Sequence, residues 1–166
     1  MTPAGIERDR REGPSGASYD EPHEGSFTPL IIRGSDPRLQ SEYGTRDKDL
    51  LRISGIPDQG RRILFGPHIS LPPGLFRFEL SFDLEARGTG MVTVDLTRAG
   101  GHRDFYLRRC FEWELQRGLI RISHALPQPI DRFELRLYAG AGFVMAVKQL
   151  AVFRLDDAKQ ATAWGC

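Results

Sequence analysis

A strict alternation of apolar and polar residues over positions 76–84 constrains the fold of this chain more than any other feature. Five apolar side chains occupy one parity, and charged or hydroxyl side chains occupy the other. In an extended chain, a period of two places each set on its own side of the strand. The segment therefore predicts a strand with one face against a core and one face in water. Its apolar residues are Phe76, Phe78, Leu80, Phe82 and Leu84.

Similar runs recur along the chain at intervals of about ten residues, separated by glycine and proline turns. Residues 92–96 repeat the alternation after a turn at 88–90, which predicts a hairpin with the first strand. Residues 104–116 predict two strands or one bent strand, with Phe105, Leu107, Phe111, Trp113 and Leu115 facing inward. Charge on one parity is typical of antiparallel sheets with a solvated face. We expect an all-β, antiparallel, jelly-roll-like β-sandwich of about eight to ten strands.

The chain has room for one ordinary domain, since it contains 166 residues. Residues 1–27 are polar and rich in proline, glycine and charge, and they offer too little apolar surface to offset the entropy of ordering. We therefore predict a disordered N-terminal arm over 1–27, a β-sandwich domain over 28–156 and a C-terminal tail over 157–166.

Charge and composition argue against several classes of partner. The 23 basic and 22 acidic side chains leave a formal charge of +1, so no field of one sign favours nucleic acid. No apolar run reaches the roughly 18 residues of a membrane span, and the N-terminus lacks the apolar core of a signal peptide. Two cysteines do not make a disulfide framework, which favours a reducing compartment and predicts a cytoplasmic protein.

The residues that carry chemistry are dispersed. The four histidines are widely separated, the two cysteines provide no paired zinc ligands, and no serine-nucleophile motif occurs. Glu112 and Glu114 lie two apart on a predicted strand face, whereas glycosidase carboxylates must flank a bond from opposite sides. We therefore predict a protein that is not an enzyme and has no cofactor, metal site or catalytic residue.

Aromatic residues on the outward parity are the best candidates for a binding site. Tyr106 and Tyr138 fall on that parity, beside charged neighbours. Flat rings can stack on the apolar face of a sugar while arginine and glutamate bond its hydroxyl groups. The alternative is an ordinary sheet surface with cross-strand ion pairs. The predicted ligand-binding residues are Tyr106, Arg108, Glu112, Arg136 and Tyr138.

Residues 65–78, FGPHISLPPGLFRF, resemble the signature Y-GPY-x-x-L-x-PG-x-Y-x-V of carbohydrate-binding-module-like β-sandwiches. Such domains accompany bacterial glycosyltransferases and methyltransferases of surface-polysaccharide pathways. The resemblance covers residues 47–155 and implies a non-catalytic module that binds a glycan or glycoconjugate. The alternative function is a structural or adaptor sandwich that binds a partner protein or another copy of itself.

Overall fold

The computed structural model describes residues 27–98 and 104–155, with the side chains of 105–155 in the second range. The predicted tail and all but the last residue of the predicted N-terminal arm lie outside these ranges. Phe27 itself packs edge-on against Phe76, with 5.3 Å between the ring centroids. The elements in the described ranges are β1 (Leu30–Arg33), β2 (Gly44–Asp47), β3 (Leu50–Ile53), β4 (Arg61–Leu71), β5 (Gly74–Arg87), β6 (Thr93–Arg98), β7 (Asp104–Arg109), α1 (Glu112–Arg117), β8 (Leu119–Leu126), β9 (Ile130–Ala139) and β10 (Phe143–Arg154).

The strands form two antiparallel sheets. One sheet has the order β2-β3-β10-β5-β8, and β1 pairs with a further part of β10. The other sheet has the order β4-β9-β6-β7. The prediction of an all-β antiparallel sandwich is therefore confirmed. The helix α1 is six residues long, and the described part of the chain contains no helix able to span a membrane.

The core lies between the sheets and follows the predicted alternation of β5. Phe76, Phe78 and Leu80 have no exposed surface. Phe78 stacks on Phe133 of β9, in the opposite sheet, with 4.6 Å between ring centroids. Burial of large aromatic side chains from both sheets supplies the main driving force for folding.

The motif at residues 65–78 joins the two sheets. Leu71 ends β4 with its side chain buried, and β5 begins at Gly74, so the predicted turn lies between them. The glycine–proline pair at 66–67 predicts either the end of a strand or a strand at the edge of a sheet. The strand does not end there, because β4 continues to Leu71. Proline is tolerated there because β4 is an edge strand.

Three other predictions about local structure were wrong. β5 and β6 do not form a hairpin, since they belong to different sheets. Residues 35–47 show no apolar alternation and therefore predict a loop, but 44–47 form β2 against β3. Residues 112–117 form α1 instead of a strand, so Glu112 and Glu114 lie on a helix.

Candidate functional site

The structure divides the five predicted binding residues among three places. Arg136 and Tyr138 lie on the outer face of β9, because Phe133, Leu135 and Leu137 on its other face belong to the core. Tyr106 and Arg108 lie on β7 and contact β8 of the other sheet, whereas Glu112 lies on α1. The expectation of one shared sheet face was wrong. β7 does not neighbour β9, because β6 lies between them.

On the outer face of the four-stranded sheet, Arg136 forms an ion pair with Asp95. It donates two hydrogen bonds to Asp95 on β6, from Nε at 2.7 Å and from Nη2 at 2.6 Å. Both residues are buried, with 7% and 2% of their surface exposed. The guanidinium of Arg136 lies 5.8 Å from the centroid of the Tyr138 ring. This pair therefore supports Tyr138 from one side and sets the position of its ring.

Tyr138 contributes to a cleft beside β4. The cleft has a volume of about 350 Å³, and its position follows from the pairing of Tyr138 with Arg62 across β9 and β4. Arg62 lies 4.2 Å from the centroid of the Phe65 ring and 3.8 Å from Glu42. The lining residues are Glu42, Tyr43, Gly60, Arg61, Arg62 and Tyr138.

This cleft combines two tyrosine rings with two guanidinium groups and one carboxylate. It therefore offers flat apolar surfaces, hydrogen-bond donors and an acceptor within one small volume. Of this set, only Tyr138 is among the binding residues predicted from the sequence. Tyr43 lies within residues 35–47, a predicted loop with no periodic pattern, so nothing local indicates that it approaches β9.

Arg108 forms part of a buried network at the opposite edge of the sandwich. Its two terminal nitrogens donate to the carboxylate of Glu114 at 2.7 and 2.6 Å, and Nη2 also donates to the carbonyl of Arg121. The backbone N–H of Phe111 donates to Glu114 at 2.9 Å. Burial by itself would raise the pKa of Glu114, but the hydrogen bonds from Arg108 and Phe111 outweigh it and lower the pKa.

The same edge places Tyr106 among partly buried rings. Tyr106 and Phe105 each lie 5.4 Å from the ring of His124, measured between centroids. Burial lowers the pKa of His124, which favours the neutral imidazole. The expectation that Tyr106 faces outward was wrong. A register shift between β6 and β7 beside Phe105 allows both neighbouring rings to pack inward.

Three apolar residues that were expected in the core are exposed. Leu107 is 63% exposed, Phe111 is 56% exposed and Trp113 is 53% exposed. Leu115 is buried, as expected. For Phe111 and Trp113, the difference arises because they lie at the start of a helix that turns Glu114 and Leu115 inward.

Groups of His, Cys, Asp or Glu suited to holding a metal ion are absent from residues 27–98 and from the side chains described in 105–155. Cys110 is a free thiol in a partly buried position. Burial raises its pKa to about 12, so it is a poor nucleophile at neutral pH.

Neither a family model nor a curated protein matches the sequence. Among solved structures, a chain in the structure of accessory secretory protein 1, 2 and 3 of Streptococcus pneumoniae is 10% identical, with a TM-score of 0.51. The match covers 70% of this chain and 96% of that one. The glycosylation-associated protein complex Gap123 of Streptococcus agalactiae matches at 10% identity and a TM-score of 0.52, over 77% of this chain and 26% of that one.

A carbohydrate-binding module, CBM6cm-2 from Cellvibrio mixtus lichenase 5A in complex with cellotriose, is 15% identical with a TM-score of 0.45. That match covers 75% of this chain and 96% of the module. At such low identity, structural likeness concerns the fold and not the ligand. The two-sheet antiparallel β-sandwich of this chain is the fold that its sequence predicts, and it is similar to the folds of the two streptococcal proteins.

Proposed function

We propose that this chain is a non-catalytic module that binds a glycan or glycoconjugate in the cleft between β4, β9 and residues 42–43. The observation that carries the proposal is the set of side chains lining the cleft: two tyrosines, two arginines and one glutamate. A sugar ring has an apolar C–H face and a rim of hydroxyl groups. Tyrosine rings suit the first, and charged donors and acceptors suit the second.

Within the predicted set of binding residues, we assign Tyr138 to direct contact and Arg136 to positioning. Arg136 is bonded to Asp95 and lies against the Tyr138 ring, so its guanidinium holds that ring in place for a ligand. Arg61 and Arg62 then serve as the donors to hydroxyl or carboxylate groups. Tyr106, Arg108 and Glu112 belong to the other edge of the fold and take no part in this site.

The size of the cleft indicates how much of a glycan it accommodates. A volume of about 350 Å³ lies near the lower end of the range for small-molecule sites, so it suits one or two sugar rings. Ring stacking contributes about 0.5–1.5 kcal/mol per aromatic contact, and losses of translational freedom offset much of it. We expect a dissociation constant in the micromolar to millimolar range.

The test is a titration of bacterial polysaccharide fragments, neutral and acidic, followed by NMR or calorimetry. Tyr138→Ala should weaken binding by about two- to tenfold, since it removes a ring contact of about 0.5–1.5 kcal/mol. Tyr106→Ala is the matched control, because it removes a tyrosine from the opposite edge and should leave the affinity unchanged. Glycan binding that survives the Tyr43→Ala, Tyr138→Ala double variant would place the site elsewhere. No binding to any fragment would refute the glycan function.

A further inference from the structure

A second surface lies at the other edge of the four-stranded sheet. Met91, Phe111 and Trp113 are large apolar residues with 47%, 56% and 53% of their surface exposed. The N–H of Cys110 donates to the carbonyl of Val92, so the backbone next to Phe111 is bonded to the backbone next to Met91. We call Met91, Phe111 and Trp113 the aromatic platform. Such clustered exposure is typical of an interaction surface.

The two rings of the platform are held in place before any partner binds. They are nearly parallel, at 9°, with 6.1 Å between their centroids. Arg108 lies 5.3 Å from the Phe111 ring, and Arg117 lies 5.5 Å from the Trp113 ring. Because the rings are already oriented, binding costs less conformational entropy.

The charges around the platform favour an acidic partner. Glu112 is paired with Arg87 and Glu114 with Arg108, so both nearby carboxylates are already used. Arg109 and Arg117 are exposed, and neither has a carboxylate partner within residues 27–98 or 105–155. The surface thus offers apolar rings and positive charge but few free acceptors, which suits carboxylates better than sugar hydroxyl groups.

The platform also adjoins an open sheet edge. β7 is the last strand of its sheet and pairs with β6 on one side only, among the described strands. Leu107, in the middle of β7, is 63% exposed. An edge strand can accept an additional strand through its free backbone groups. An exposed apolar residue on such a strand, such as Leu107, favours contact with another chain.

We propose that the aromatic platform and β7 bind an extended, acidic and apolar segment of a partner protein. The segment adds to the edge of β7 through backbone hydrogen bonds. Its apolar side chains contact Phe111 and Trp113, and its carboxylates pair with Arg109 and Arg117. Trp, Phe, Met and Arg are the residue types enriched at the centres of protein interfaces.

The test uses the full chain carrying Trp164→Phe, which leaves Trp113 as the sole tryptophan and therefore a fluorescent reporter. The probes are arrays of peptides of about 12 residues that combine acidic residues with Leu and Phe. Matched arrays carry Lys or Ser in place of the acidic residues. We expect the acidic array to give the tightest binders, and those peptides to change the fluorescence of Trp113.

Variants then separate the platform from its surroundings. Phe111→Ala with Trp113→Ala should weaken the acidic peptides by about 10- to 100-fold, measured by fluorescence polarisation of labelled peptide. Ile31→Ala is the control, because it removes a comparably exposed apolar residue, 47% exposed, from the other sheet. Arg109→Glu with Arg117→Glu should shift the preference to the Lys array.

Several results would overturn the proposal. The first is that the Phe111→Ala, Trp113→Ala variant binds acidic peptides as tightly as the wild type does. The others are that acidic peptides bind no better than Ser peptides, or that no peptide binds at about millimolar concentration. A dimer seen by light scattering and lost in the platform variant would make a second copy the occupant instead. Each result is independent of the glycan titration, since the platform contains none of the residues that line the cleft.

Discussion

Glu114→Gln tests the network that joins β7, α1 and β8. Glu114 is 1% exposed and accepts two hydrogen bonds from Arg108 and one from the N–H of Phe111. Removing one partner of a buried ion pair costs about 3–5 kcal/mol, because the remaining charge stays desolvated. The side chain of Arg108 is 18% exposed, and it also donates to the carbonyl of Arg121. We therefore expect a cost at the lower end of this range, about 3 kcal/mol.

The assay is urea unfolding followed by circular dichroism at pH 7. Glu85→Gln is the control, since Glu85 pairs with Arg52 at the surface, where side-chain exposures are 38% and 48%. That pair should contribute far less to stability, because water and salt screen an exposed ion pair. Adding Arg108→Met to Glu114→Gln should recover part of the loss, because no unpaired charge is then buried. Equal costs for the two glutamate variants would refute the importance of this network.

The pH dependence provides a second check on the same residue. The pKa of Glu114 is lower in the folded protein than in the unfolded chain, where it is about 4.3. Its contribution to stability is therefore fully present above that value and is lost as the pH falls through the folded pKa. The difference in unfolding free energy between wild type and Glu114→Gln should shrink below about pH 4. A difference that stays constant down to pH 2 would contradict this reasoning.

Three further predictions concern the core, the thiol and one turn. Phe78→Ala should cost about 3–5 kcal/mol in urea unfolding, since Phe78 is fully buried, and Arg77→Ala should cost much less because Arg77 is only partly buried. Cys110, with its pKa raised to about 12, should react with iodoacetamide far more slowly in the folded protein than in urea, as measured by mass spectrometry. Gly118→Ala should cost more than Gly55→Ala. Both have positive φ, at 64° and 73°, but only at Gly118 would a Cβ lie 2.0 Å from a backbone oxygen.

The fold was largely predictable because the alternation of apolar and polar residues determines which side of a strand faces the core. The apolar residues of β5 followed their parity, and so did Phe133 on β9. Alternation does not determine which strands pair, however. β5 and β6 both have a buried face, yet they lie in different sheets, so the predicted hairpin between them was wrong.

The error over 104–116 has a local cause. Phe111, Trp113 and Leu115 share one parity, which favours a strand. In the structure this segment is a six-residue helix, and Phe111 and Trp113 at its start are exposed. The helix ends at Gly118, whose positive φ of 64° suits a helix cap. This glycine, with Glu112 and Glu114 in the first turn and Arg117 in the last, is a local signal of the helix. The site at Tyr138 required knowledge of β4 and residues 42–43, which are distant in sequence, and no local pattern supplies it.

The cleft and the aromatic platform lie at opposite edges of one sheet, and this arrangement predicts that they act independently. Across the order β4-β9-β6-β7, Arg62 pairs with Tyr138, Tyr138 with Thr93, and Thr93 with Arg109. With about 4.8 Å between neighbouring strands, Arg62 and Arg109 are roughly 14 Å apart. That separation exceeds the screening length of about 8 Å at physiological salt. Saturation with an acidic peptide should therefore change the glycan dissociation constant by less than about twofold. A change above about fivefold, measured in the same calorimetric titration, would mean that one ligand reaches both surfaces or alters the strands between them.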